Sequence, residues 1–319
     1  MGCNGSQRYT YSMHDALAPR STSPAPLDPA LGPVLAEFAA LKRVPARASA
    51  HRSIADEGFR RAWTAILAGE PLEDVARTEV AYAAAQIALV PVDAAQLAHA
   101  GVDPDDRRTV YRNAAGRTVG TLSEPVADRL AAVVEGMTPP GTGPQFVDLL
   151  ASQARAGALR EGAARLVMPP EEMQSEHAWS VAVMGGLLQL RRDEPAGPAM
   201  LLGLAHHLGD AYAAVPDPEA PSPEDETARR RSVARALEQC PGELAELLAA
   251  ALDHRNDLRL PAAGAFVAAD LIDRVLQQRH YANLAGFSLS DAMDAREFVD
   301  PGPIREFQLE VLARFRLTF

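Results

Sequence analysis

Residues 201–212 read LLGLAHHLGDAY, an apolar helical run that two adjacent histidines interrupt. A helix this apolar has to be buried, and imidazoles carried into an interior need polar partners. Each buried polar group left unpaired costs about 1–3 kcal/mol. Metal coordination would satisfy His206 and His207 together, and neutral imidazole is the commonest metal ligand. The spacing predicts one helix over 199–209. Asp210 follows His206 by four residues, one turn along the same face, where a carboxylate could orient a ligand, hold a metal through water or act as a general base.

The rest of the chain predicts an all-α fold. Apolar residues recur at helical spacing over 33–44, ending at Pro45, over 54–68 and over 72–89. The stretch 108–122, RTVYRNAAGRTVGTL, breaks the pattern: NAAG is turn-like between Val110, Tyr111 and Val119, Leu122, so a short β-hairpin or an irregular arm is expected there. Pro and Gly punctuate 138–145, the best linker candidate. The expected organisation is a disordered tail over 1–27, a helical N-terminal module over 28–137, that linker, and a second helical domain over 146–319. In the second domain a helix begins near Ser175 and carries His177, Val181, Met184, Leu187 and Leu188 on one face. A later apolar helix, AGAFVAADLIDRVLQQRHY, holds Asp270 with Arg274 one turn away as its simplest partner. The C-terminal segment is amphipathic and could cap this core or form a homodimer face.

Composition excludes several classes of function. At 319 residues and 47% apolar content the chain can bury cores of ordinary size. A net charge of −11 argues against a nucleic-acid surface, which needs clustered positive charge. A small phosphate in a local cationic pocket is not excluded by it. No apolar run approaches the roughly 20 residues that cross a bilayer, so no membrane partner is expected. Cys3 and Cys240 give neither a disulfide framework nor a thiolate metal site, and a reduced cytoplasm is the simplest location. Lys42 is the only lysine.

Three segments in order, SEHAWSVAV around His177, LAHHLGDAY around His206, and AADLIDRVLQQRHY around Asp270, resemble the HD-domain superfamily of metal-dependent phosphohydrolases. The nearest branch is the 5'-deoxynucleotidase-like group, and the resemblance spans roughly residues 150–285. It implies a helical bundle in which His177, His206 and Asp270 are metal ligands. Asp210 stands where such members place a catalytic glutamate. His207 occupies the place of the doublet's aspartate, which bridges two ions in dinuclear members. Imidazole bridges poorly, so one divalent transition metal is favoured over a pair. With His207 as a ligand the set becomes three His and one Asp, which suits Fe, Mn, Co, Ni or Zn better than Mg.

Three readings stay open on the sequence. The first is a mononuclear phosphohydrolase acting on a small phosphate ester such as a nucleotide, with Asp210 assisting attack. The second is a degenerate HD domain that keeps the helical core for binding or regulation. The third is an HD-type iron oxygenase, although only His254 lies between the doublet and Asp270 to supply a further ligand.

Overall fold

The computed structural model describes residues 27–46, 52–90, 92, 94–135, 143–155, 158–160, 163–166, 171–213, 223–285, 299–300 and 302–317. Residues 1–26 of the expected tail and most of the expected linker lie outside these residues, while Leu27, the last residue of that tail, is buried in the core. The fold is all-α, with one short antiparallel strand pair. Its helices are α1 (Gly32–Ala40), α2 (Ile54–Leu67), α3 (Leu72–Leu89), α4 (Ala94–His99), α5 (Pro104–Val119), α6 (Glu124–Val134), α7 (Gln145–Ser152), α8 (Gln174–Leu190), α9 (Gly197–Ala205), α10 (Pro223–Leu237), α11 (Gly242–Asp253), α12 (Pro261–Ala285) and α13 (Arg305–Arg314). Strands β1 (Ala158–Arg160) and β2 (Ala163–Leu166) pair with each other.

Helix α8 is the axis of the molecule. Every residue from Gln174 to Gln189 is buried. A helix enclosed on all sides needs neighbours on all sides, and α2, α3, α7, α9 and α12 supply them. The face through His177 is therefore not a stripe but one side of a central rod. Alanines and glycines set the spacing. An added Cβ at Gly203 of α9 would lie 2.5 Å from the Ala182 backbone of α8, so only glycine permits that approach. One continuous core runs from Leu27 to Leu317 and includes residues of both α1–α3 and α8–α13. A second, smaller cluster packs α3 against α5 and α6 through Ala81, Tyr111 and Leu130.

Two local expectations are corrected. Residues 104–119 form helix α5, not a hairpin. Asp103 caps it by accepting from the Asp106 amide, Pro104 opens it, and Gly120 ends it at φ 79°. NAAG lies mid-helix with Ala114 and Ala115 buried, so capping and burial outweigh its turn-like composition. Helix α9 ends at Ala205, and the histidines fall in the turn that joins it to a short 3-10 helix, Leu208–Asp210. The C-terminal helix α13 buries Phe307, Val311 and Leu312 and packs on α12.

Overpacking of a tight helix crossing costs about 1–3 kcal/mol. Gly203→Ala is expected to destabilise the chain by about that amount in urea unfolding; a change within 0.3 kcal/mol of zero, itself an order-of-magnitude bound, would contradict the close approach.

Candidate metal centre

His177 sits in the first turn of α8, which Glu176 caps by accepting from the Met173 amide at 2.8 Å. Its ring is 1% exposed, and its Nδ1 lies 2.7 Å from Oδ2 of Asp273 on α12. His206 is the last residue to accept α9 geometry, with its amide bonded to the Leu202 carbonyl at 3.0 Å, and its Nδ1 lies 2.7 Å from the Gly203 carbonyl. His207 has left the helix (φ −99°, ψ 10°), and its Nδ1 lies 2.6 Å from Oδ2 of Asp210. Successive residues inside an α-helix point about 100° apart. Ending the helix here lets both rings turn to one side, with centroids 4.0 Å apart. The 3-10 turn brings Asp210 under His207, its i+3 neighbour, and not under His206.

These partners determine the tautomers. A carbonyl and two carboxylates can only accept, so each Nδ1 donates, and Nε2 of the neutral His206 and His207 rings keeps a lone pair. His177 Nε2 and His206 Nε2 face each other at 3.2 Å, and Oδ1 of Asp270 lies 3.2 Å from the first and 3.9 Å from the second. His207 Nε2 is buried with no hydrogen-bond partner among the described residues. The three rings each bring a nitrogen within 4.8 Å of the others. Ring nitrogens and a carboxylate oxygen converge here, which is the arrangement a cation stabilises. Ligands about 2.1 Å from one ion at angles near 90–110° stand about 3.0–3.4 Å apart; the pairs His177–His206 and His177–Asp270 do so at 3.2 Å, while His206 and Asp270 stand wider at 3.9 Å. His206, His207 and Asp270 keep 9%, 17% and 19% side-chain exposure, so the cluster opens on one side to solvent.

The electrostatics fit the same purpose. Burial, reinforced by the neighbouring imidazoles, holds His206 well below the usual histidine range. Burial also lowers His207 to about 4, against the pull of Asp210. Burial would raise Asp270, but Arg274 at 3.1 Å and the imidazoles of His177 and His206 outweigh it and hold the carboxylate well below its usual value. Asp210 is lowered, against its own burial, by His207, Arg229 and Arg155. At neutral pH the carboxylates are therefore charged, while His206 and His207 are neutral donors to a cation.

No protein-family model matches this chain, and no curated protein or solved structure does either. The geometry stands by itself. All five residues singled out in the sequence lie together: His177, His206 and Asp270 at ligand-like spacing, His207 beside them, and Asp210 behind His207. The arginine partner of Asp270 is Arg274, as its spacing implied, with Asp300 as a second carboxylate at 3.4 Å.

Four participants were not singled out as site residues. Asp273, fully buried, lies one turn beyond Asp270. Glu172 and Asp273 form with His177 a second group that could hold a cation, but the Lys42 ammonium already fills it, 2.6 Å from Glu172 Oε1 and 2.8 Å from Asp273 Oδ2. Arg155 lies 3.4 Å from Glu172 Oε2, and its Nη1 is buried with no hydrogen-bond partner among the described residues. The only lysine in a chain that otherwise uses arginine was the signal available for Lys42.

His207 titrates lower in the folded protein than the ordinary 6.5, so between that pH and about 4 the unfolded chain binds the extra proton. The folded state of the metal-free protein must then lose stability as pH falls through this window, by up to about 1.4 kcal/mol per pH unit for this one group. Urea unfolding at pH 7 and pH 4.5 should show a shallower loss for His207→Asn than for wild type; equal losses would contradict a buried, neutral His207.

Proposed function

We propose that this chain is an HD-like hydrolase with one divalent transition metal, acting on a small phosphate ester such as a nucleotide. The observation that supports it is the commitment of Nδ1 on His177, His206 and His207 to acceptors, which turns Nε2 of His177 and His206 toward Asp270 and leaves Nε2 of His207 without a partner among the described residues. His177, His206, His207 and Asp270 would hold the ion, and Asp273, Gly203 and Asp210 orient the imidazoles from behind, as outer partners of metal-bound histidines do. A nitrogen-rich donor set with one carboxylate suits Fe, Mn, Co, Ni or Zn. Such an ion supplies Lewis acidity and lowers the pKa of a bound water to near neutrality.

The chain's own groups carry the remaining steps. Asp210, expected as the catalytic carboxylate, acts here through His207: held at 2.6 Å from His207 Nδ1 and 3.3 Å from Arg229 Nε, it keeps that imidazole aimed at the site. Around the cluster, the carboxylates of Asp210, Asp270, Asp273 and Glu172 pair with Arg229, Arg274, Lys42 and Arg155. With neutral imidazoles, binding of a divalent cation would leave this group of residues net positive, which draws an anionic substrate despite the acidic surface. Arg155, with a donor left over, is the first candidate to meet a phosphate oxygen. His254, exposed at the end of α11, enters neither group of candidate ligands, so nothing here favours the oxygenase alternative.

Elemental analysis of the purified chain should find about one transition-metal ion per molecule, and Asp270→Asn should lower that occupancy. A phosphate-release screen over nucleoside monophosphates should then find turnover that falls on the order of a hundredfold in Asp210→Ala. Full metal occupancy without hydrolysis of any phosphate ester would leave the metal and remove the hydrolase; absence of metal would remove both.

A further inference from the structure

We infer that Lys42 is a positioning residue of the metal site, acting through Asp273 on His177; this rests on the metal reading above. Lys42 stands on the short 3-10 helix Leu41–Arg43, far in sequence from the site, and its side chain is 2% exposed. Its ammonium straddles the Asp273 carboxylate, 2.9 Å from Oδ1 and 2.8 Å from Oδ2. Glu172 anchors it from another direction at 2.6 Å. Ser180, one turn beyond His177 on α8, donates to Oδ1 of Asp273 at 2.6 Å.

Those contacts leave Asp273 no rotational freedom. With Oδ1 held by Ser180 and Lys42, and Oδ2 by Lys42, the remaining lone pair of Oδ2 points at His177 Nδ1, 2.7 Å away. The imidazole plane, and the direction of its Nε2 lone pair, are thus set by a chain of charges that runs Glu172, Lys42, Asp273, His177. Removing the ammonium leaves two buried carboxylates facing each other, with only Ser180 and His177 left on the second. Outer partners of metal-bound histidines typically change affinity without touching the ion. The lysine also comes from the N-terminal helical layer, so the site is completed by residues outside the segment that carries its ligands.

Titration of metal-free protein with Co²⁺ or Zn²⁺ alone tests this, with thermal unfolding of each metal-free variant alongside. Lys42→Met and Asp273→Asn should each weaken metal binding roughly tenfold to a hundredfold. The double variant, which removes both charges, should bind no more weakly than Asp273→Asn, because both changes act through one contact. Where Lys42→Met does not fold, Lys42→Arg, which keeps the charge but not the geometry of the contact, carries the test and should also weaken metal binding, while wild-type affinity in it would count against the inference. Wild-type affinity in Lys42→Met or in the double variant, with only the unfolding temperature lowered, would reduce Lys42 to a structural brace and overturn the inference. A wild-type chain that takes up neither ion would overturn the metal reading itself, and this inference with it.

Discussion

A fully buried carboxylate is the constraint around which this molecule is arranged. Asp273 has no exposed surface, and an ionised carboxylate removed from water is prohibitively costly unless donors replace its hydration. The donors come from two parts of the chain: Lys42 before α2, and His177 and Ser180 from α8. Satisfying one anion therefore brings the N-terminal helices, the central helix and α12 to a single point. The apolar core runs through the same junction without interruption. Breaking such a pair by removing one partner costs about 3–5 kcal/mol, which makes the junction a demanding one to build by chance.

The histidine cluster inherits its order from that junction and from the way α9 ends. His177 is turned by Asp273, His206 by the Gly203 carbonyl, and His207 by Asp210. Gly203 does two things at once, since its missing side chain lets α9 lie against α8 and its carbonyl orients the imidazole three residues later. The result places Nε2 of His177 3.2 Å from both Nε2 of His206 and Oδ1 of Asp270. Close packing of acceptors is unfavourable in itself, and a bound cation turns it into coordination.

Much of this was legible in the sequence, and the failures have physical reasons. The helices followed from apolar periodicity, His206 and His207 stood out as polar residues in an apolar run with Asp210 a turn away, and His177 and Asp270 joined them only through the resemblance of their segments. The hairpin expected near NAAG failed because Asp103, Pro104 and two buried alanines favour a helix more strongly than four turn-like residues oppose it. Asp210 was assigned to His206 by α-helical spacing; the early end of α9 shifted it to His207. Asp273 and Lys42 were out of reach for a different reason. They are 231 residues apart, and no local pattern marks a pair that only the tertiary fold brings together.

The most direct test of the account is a crystal structure of the chain with anomalous scattering measured at the absorption edge of its metal. The account predicts a single peak about 2.0–2.2 Å from Nε2 of His177, Nε2 of His206 and Oδ1 of Asp270, with Lys42 still seated between Glu172 and Asp273. A peak between Glu172 and Asp273 with Lys42 displaced, or no peak among the three histidines, would contradict it.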